Sequence, residues 1–155
     1  SLTHLCLHSN KITKIKGLEK LISLTSLDLA CNQITKIEGL DKLVNLTWLE
    51  LQQNQLTKIE GLDNLVNLTN LYLTYNKITK IENILHLRRL EKFWFFCNPI
   101  LYTPPHIQRF LNKIKNRKTV YNNSQSVHDH NIQKSVIQSI DNLLSNPNGC
   151  EYIFI

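Results

Sequence analysis

The chain has 155 residues, 42% apolar and 19% charged, with a formal net charge of +6. That is enough chain for one domain with a real core, in the balance of a folded soluble protein. No apolar run approaches the ~20 residues of a membrane span and no signal segment opens the chain, so no membrane partner is expected.

The first element begins at once. Starting from Leu2, the chain aligns with itself at a period of 22 residues: "LTHLCLHSN" at Leu2, "LTSLDLACN" at Leu24, "LTWLELQQN" at Leu46, "LTNLYLTYN" at Leu68 and "LEKFWFFCN" at Leu90. Ser1 falls at the start of a repeat and the chain has no Met, which reads either as removal of an initiator Met or, the favoured reading, as a piece of a longer protein. In each register the L-x-L core alternates, which predicts a short strand with its leucines on one face. Identical strands stacked coil upon coil predict a parallel sheet. Asn10, Asn32, Asn54, Asn76 and Asn98 close the five registers. An amide there can donate to and accept from backbone groups that an inward turn leaves unpaired. The second half of each repeat carries apolar residues every third position, such as Ile34, Ile37, Leu40 and Leu43. Period three suits a 3₁₀-like return segment better than an α-helix. Gly17, Gly39 and Gly61 mark a turn into that segment; Asn83 replaces the fourth glycine and also tolerates left-handed φ.

The pattern L-x-x-L-x-L-x-x-N, with Phe93 and Phe95 for Leu in the last register, is the leucine-rich-repeat pattern. The phrase "NQITKIEGLDKLVNLTWLELQQNQLTKIEGLDNL" resembles the 22-residue-repeat subfamily throughout, the type that includes a regulatory subunit of a serine/threonine protein phosphatase. The resemblance covers residues 2–98. It implies an α/β fold: a curved solenoid of parallel strands with a 3₁₀ or irregular convex side, whose concave sheet binds other proteins. After Asn98 the register changes. Pro99 and a Thr-Pro-Pro turn precede residues 106–115, which read as a helix with Ile107, Phe110, Leu111 and Ile114 on one face. An Asn-Pro followed by a helix resembles the C-terminal caps of this family.

After Lys118 the likeness stops. "NNSQSVHDHN" reads as a polar loop, residues 131–145 as an amphipathic helix, Asn146-Pro147-Asn148-Gly149 as a stop, and "EYIFI" as an apolar stub. The expected organisation is five leucine-rich repeats over 1–98, a cap over 99–118, and a helical tail over 119–155 that could begin a further segment.

Alternation names the outward face of the sheet. Its central column is Cys6, Asp28, Glu50, Tyr72, Trp94. The flanking columns are His4, Ser26, Trp48, Asn70, Lys92 and His8, Ala30, Gln52, Thr74, Phe96, with Ser9, Cys31, Gln53, Tyr75, Cys97 beside them. Here the repeat stops constraining residue type. Asp28, Trp48, Glu50, Tyr72, Tyr75, Trp94 and Phe96 are the candidate partner-binding residues, since exposed Trp and Tyr are frequent binding anchors. The bland reading of Trp94 and Phe96 is that the protein's own C-terminal segment covers them.

Other constellations carry less. His4, Cys6 and His8 alternate on one face, but alternate strand residues are ~6.7 Å apart, so the outer two stand roughly 13 Å apart and no metal site is expected from the three. "HDH" at 128–130 reads as the entry to the following helix. Cys31 and Cys97 lie three strands apart, roughly 14 Å, too far for a disulfide. Reduced thiols and an intracellular setting, cytoplasmic or nuclear, follow.

The charge is local: residues 88–118 hold eight Lys/Arg and one Asp/Glu, whereas residues 1–87 hold nine and eight. "NKIKNRK" with Arg88, Arg89, Lys92 and Arg109 could meet phosphates, against the bland reading of a solvated helix end. Lys14, Lys36, Lys58 and Lys80 read as solvated convex surface between Glu38, Glu60 and Glu82, and the sequons at Asn45 and Asn67 arise from the repeat itself. No P-loop, nucleophile-elbow, dinucleotide or zinc-protease motif occurs, so neither catalysis nor a cofactor is expected. The expected function is a monomeric, non-catalytic scaffold for a protein partner. The alternatives are a targeting or sensor segment of a larger enzyme, or a nucleic-acid adaptor working through residues 88–118.

Overall fold

A computed structural model describes residues 1–115 of the chain. Its strands are β1 (His4–Cys6), β2 (Ser26–Asp28), β3 (Trp48–Glu50), β4 (Asn70–Tyr72) and β5 (Lys92–Trp94), followed by helix α1 (Pro105–Lys115). The five strands form one parallel sheet in sequential order. Each residue pairs with the one 22 positions on, as in Leu5↔Leu27, Leu27↔Leu49, Leu49↔Leu71 and Leu71↔Phe93. The central residues of β2 to β5 are fully buried. The expected tail over 119–155, its helix, "HDH", Cys150 and the last residues of the basic run lie outside the described residues.

The period-three return segment is a chain of turns and not a helix. Leu43 N–H donates to Leu40 O at 2.9 Å and Leu46 N–H to Leu43 O at 3.0 Å, and the same pair recurs in the coils on either side. The bonds span three residues, as in a 3₁₀ helix, but only every third residue makes one. Every third side chain then points inward, so Ile34, Ile37, Leu40, Leu43 and Leu46 are all buried.

The asparagines work as a ladder. Asn54 Nδ2 donates to Leu51 O and Gln52 O in its own coil and to Leu29 O in the coil before, at 3.0–3.2 Å. Its Oδ1 accepts from Ile34 N–H at 2.9 Å. Asn32, Asn76 and Asn98 repeat the set. From the second coil on, one amide per coil thus satisfies backbone groups in two coils, where an unpaired buried group would cost about 1–3 kcal/mol. A second ladder runs before the strands: Thr25, Thr47 and Thr69 hydroxyls donate to Thr3, Thr25 and Thr47 carbonyls, each at 3.0 Å.

The residue before each Asn is left-handed. Ser9, Cys31, Gln53, Tyr75 and Cys97 have φ between 52° and 56°. None is a glycine, and the strain of roughly 1–2 kcal/mol per residue is held by the sheet. Cys31 N–H, for instance, donates to Gln52 O at 3.0 Å and Gln53 N–H to Thr74 O at 2.9 Å. The glycine turn is tight in a different way. A Cβ on Gly61 (φ 69°) would collide with Ile37 O. Asn83 (φ 56°) occupies the equivalent place one coil on, and its Nδ2 donates to Ile59 O at 2.9 Å. Glycine clears that carbonyl; asparagine bonds it.

At the last coil, α1 begins at Pro105, where the missing N–H is no loss in a first helical turn. Ile107, Leu111 and Ile114 are buried and join the same core as Phe93 and Phe95, with Phe110 packed against it. The rings of Phe93 and Phe95 lie 4.7 Å apart.

Candidate functional site

The inward leucines fix the sheet, and alternation turns the residues on either side of each outward. Trp48 and Glu50 flank buried Leu49 on β3; Asn70 and Tyr72 flank Leu71 on β4; Trp94 follows Phe93 on β5. The parallel register then lines up Glu50, Tyr72 and Trp94 across neighbouring strands. Three of the candidate aromatics stack in sequence: Trp48 to Tyr72 at 5.1 Å between ring centroids, and Tyr72 to Trp94 at 5.7 Å. Trp94 meets Phe96 at 5.7 Å. All are tilted pairs at distances where aromatic rings attract beyond simple burial. The result is a half-buried aromatic ledge across β3, β4 and β5.

The carboxylate beside the ledge is held at both oxygens. Trp48 Nε1 donates to Glu50 Oε1 at 2.7 Å and Gln52 Nε2 to Glu50 Oε2 at 2.9 Å. Asn70 Nδ2 donates to Tyr72 Oη at 3.2 Å, and Thr69 Oγ1 to Asn70 Oδ1 at 2.8 Å. Burial raises the Tyr72 phenol above its ordinary value near 10; the Asn70 bond opposes this and the negative Glu50 adds to it. Tyr72 therefore stays neutral, offering an aromatic face and a hydroxyl. Fixed rings and a fixed carboxylate lose little side-chain entropy when another surface packs on them.

Two further candidate residues stand nearby. Tyr75 stands at the left-handed position beside it, 43% exposed. Asp28 faces the other way: its Oδ1 accepts from Ala30 N–H at 2.9 Å and its Oδ2 from Cys6 Sγ at 3.6 Å. Within the flanking column, Ala30 and Thr74 are buried, so that column is less open than alternation implied.

A cluster on the first two coils is absent from the sequence reading. Ligand atoms of Cys6, His8 and Asp28 all lie within 4.8 Å of one another. Within one strand His4, Cys6 and His8 looked like the set, and their span argued against it. The third member comes from the neighbouring strand, and the pairing Cys6↔Asp28 was the signal that could have found it.

On the return side, Lys36 reaches Glu60 at 3.7 Å and Lys80 reaches Glu82 at 2.7 Å; both lysines are exposed. Asn45 and Asn67, the two sequon residues, donate to Ile22 O and Val44 O, each at 2.9 Å. These amides serve the stack. Arg89, from the basic segment, donates to Asn67 Oδ1 at 2.9 Å.

Comparison with known proteins agrees with this geometry. A family model of two-copy leucine-rich repeats matches residues 1–42 and 44–86. An internalin, InlF, from Listeria monocytogenes has 28% identity and a TM-score of 0.60, over 69% of this chain and 31% of its own. The functional domain of InlJ from the same organism, described as including a cysteine ladder, has 28% identity and a TM-score of 0.53, over 69% of this chain and 28% of its own. A leucine-rich-repeat protein of Leptospira interrogans has 26% identity and a TM-score of 0.62, over 76% of this chain and 30% of its own. The chain thus spans about a third or less of the length of these structures. No curated protein sequence matches it. The family model describes the repeat in general and does not distinguish the phosphatase-regulator type. Repeats of this kind generally serve as protein-interaction scaffolds, with the sheet as the extended binding surface. On its repeat, its sheet and the matched model, this chain belongs to the leucine-rich-repeat family.

Proposed function

We propose that the protein is a non-catalytic recognition module that holds a protein partner against the sheet face around Trp48, Glu50, Tyr72 and Tyr75. The observation that carries this reading is the aromatic ledge, with Trp48, Tyr72 and Trp94 stacked in sequence beside a carboxylate pinned at both oxygens. The same face differs in every coil, whereas the return segments "ITKIEGL" and "LTKIEGL" are nearly copied. A surface that repeats gives a partner no place to dock in one register; a surface that varies does. Pre-set aromatic anchors supply truncation costs of about 2 kcal/mol or more, against about 0–1 kcal/mol for an exposed ion pair. Glu50 asks for a donor or a cation on the partner. The free thiols of Cys6 and Cys31 suit a reducing, intracellular setting.

The test is affinity capture with mass spectrometry, followed by variants against the partner so identified. Trp48→Ala with Tyr72→Ala abolishes capture while circular dichroism stays unchanged. Lys36→Gln, Lys58→Gln and Lys80→Gln together leave capture intact. The reverse outcome replaces the sheet-face reading with a charge-driven contact on the return side.

A further inference from the structure

We infer that Cys6, His8 and Asp28 form a binding site for a thiolate-accepting transition-metal ion, with Zn²⁺ as the best-matched species. The site bridges the first two coils. Cys6 ends β1, His8 lies two residues further on the same face, and Asp28 ends β2 directly opposite Cys6. One sulfur, one imidazole nitrogen and one carboxylate oxygen, mutually within 4.8 Å, make a mixed donor set. Bonds of ~2.0–2.3 Å at tetrahedral angles place ligand atoms about 3.5 Å apart. Cys6 Sγ and Asp28 Oδ2 already stand 3.6 Å apart. The His8 nitrogen lies within 4.8 Å of both, and Cys6 and His8 are exposed, so an ion can reach the three from solvent.

Two outer contacts prepare these ligands, in the manner of supporting hydrogen bonds around metal sites. Ala30 N–H holds Asp28 Oδ1 at 2.9 Å, which aims Oδ2 at Cys6. His8 Nδ1 bonds Ser9 Oγ at 2.9 Å, which orients the ring. His4 is outside the set, because it lies on the far side of Cys6 and is not among the residues whose ligand atoms fall within 4.8 Å of one another. A thiolate and a carboxylate together balance a divalent charge. The softness of sulfur selects Zn²⁺ over Mg²⁺ or Ca²⁺, which take oxygen ligands. On coordination the metal–sulfur bond replaces the Cys6 S–H bond, and that proton passes to solvent. With three protein ligands the fourth position belongs to water or to a donor atom from outside the chain. The site is separate from the aromatic ledge and does not rest on the partner reading.

The experiment is a titration of the tag-free full chain, with Zn²⁺ followed by calorimetry and Co²⁺ by absorbance. The expected result is binding of Zn²⁺ that depends on these three residues and a thiolate-to-cobalt charge-transfer band. Cys6→Ser removes the band, and Cys6→Ser, His8→Ala and Asp28→Asn each weaken Zn²⁺ binding by about tenfold or more. His4→Ala changes neither readout. Circular dichroism of each variant controls for folding. Failure to bind either ion overturns the site. So does a band that survives Cys6→Ser, which places binding at the other cysteines, or a His4→Ala loss equal to that of His8→Ala.

Discussion

Gln53 and Asn54 are neighbours in the chain, yet they answer to different rules. Asn54 is 7% exposed and its one amide joins backbone groups of two coils. Gln53, half-buried at the edge of the sheet face, accepts one side-chain bond, from the Cys31 thiol, and its backbone N–H donates to Thr74 O; its side chain bonds no backbone group. The same division runs through the described coils. The inward leucines, the Asn ladder and the turn glycines form a frame that the repeat copies. The outward columns vary. The frame fixes where each outward side chain stands and leaves its identity open, which is how a repeated scaffold carries a surface that does not repeat.

The largest expected contrast lies on a single strand. Leu49 is fully buried and Trp48, beside it, is half-exposed. Leu49→Ala lowers stability by about 2–5 kcal/mol, as for other buried leucines. Trp48→Ala loses its stack on Tyr72 and some burial, about 1–2 kcal/mol. Urea denaturation of the two variants measures the difference, and a Trp48→Ala loss equal to that of Leu49→Ala breaks the division between frame and face.

A smaller contrast compares two turns of the frame. Gly61→Ala meets the Ile37 carbonyl and requires a left-handed alanine, at a cost of about 2 kcal/mol or more. Asn83→Gly trades one hydrogen bond to Ile59 O for relief of left-handed strain, and changes stability by less than about 1 kcal/mol. Thermal melts separate the two; equal losses would mean that the carbonyl contact does not set the residue at this turn.

The smallest contrast is on the face and depends on pH. The folded chain holds the Tyr72 phenol above its unfolded value, chiefly by burial. The stability that comes with the neutral phenol is intact below pH ~10 and is lost as pH rises through the raised folded value. Tyr72→Phe therefore flattens the alkaline limb of a stability profile and leaves the neutral limb alone. An alkaline limb identical in both chains removes Tyr72 as its source.

Much of the frame was legible in the sequence, because each frame position is written several times. Period 22, the inward leucines, the five asparagines and the period-three return all appear as repeated residue types, and the structure keeps that register through β5. The apolar spacing predicts a helix over 106–115, and the helix spans Pro105–Lys115, one residue earlier, because proline serves well in a first helical turn. The left-handed residues at Ser9, Cys31, Gln53, Tyr75 and Cys97 were not legible: no side chain there favours that φ, and at the first four a backbone bond to the next coil imposes it. For the site, alternation identified the outward columns, but it could not assign partners within them. The bond from Trp48 to Glu50 and the separate pairing of Asp28 with Cys6 depend on rotamers and on cross-strand contact. A one-dimensional period does not encode either.

The most direct test is a pair of denaturation midpoints, Asn54→Ala beside Gln53→Ala. Removing the Asn54 amide strips donors or acceptors from Leu29 O, Leu51 O, Gln52 O and Ile34 N–H, with about 1–3 kcal/mol at stake for each buried group left unpaired. Removing the Gln53 side chain leaves its backbone bond to Thr74 O in place. The account predicts a large drop in the Asn54→Ala midpoint and one close to the parent chain for Gln53→Ala. Equal midpoints would contradict it.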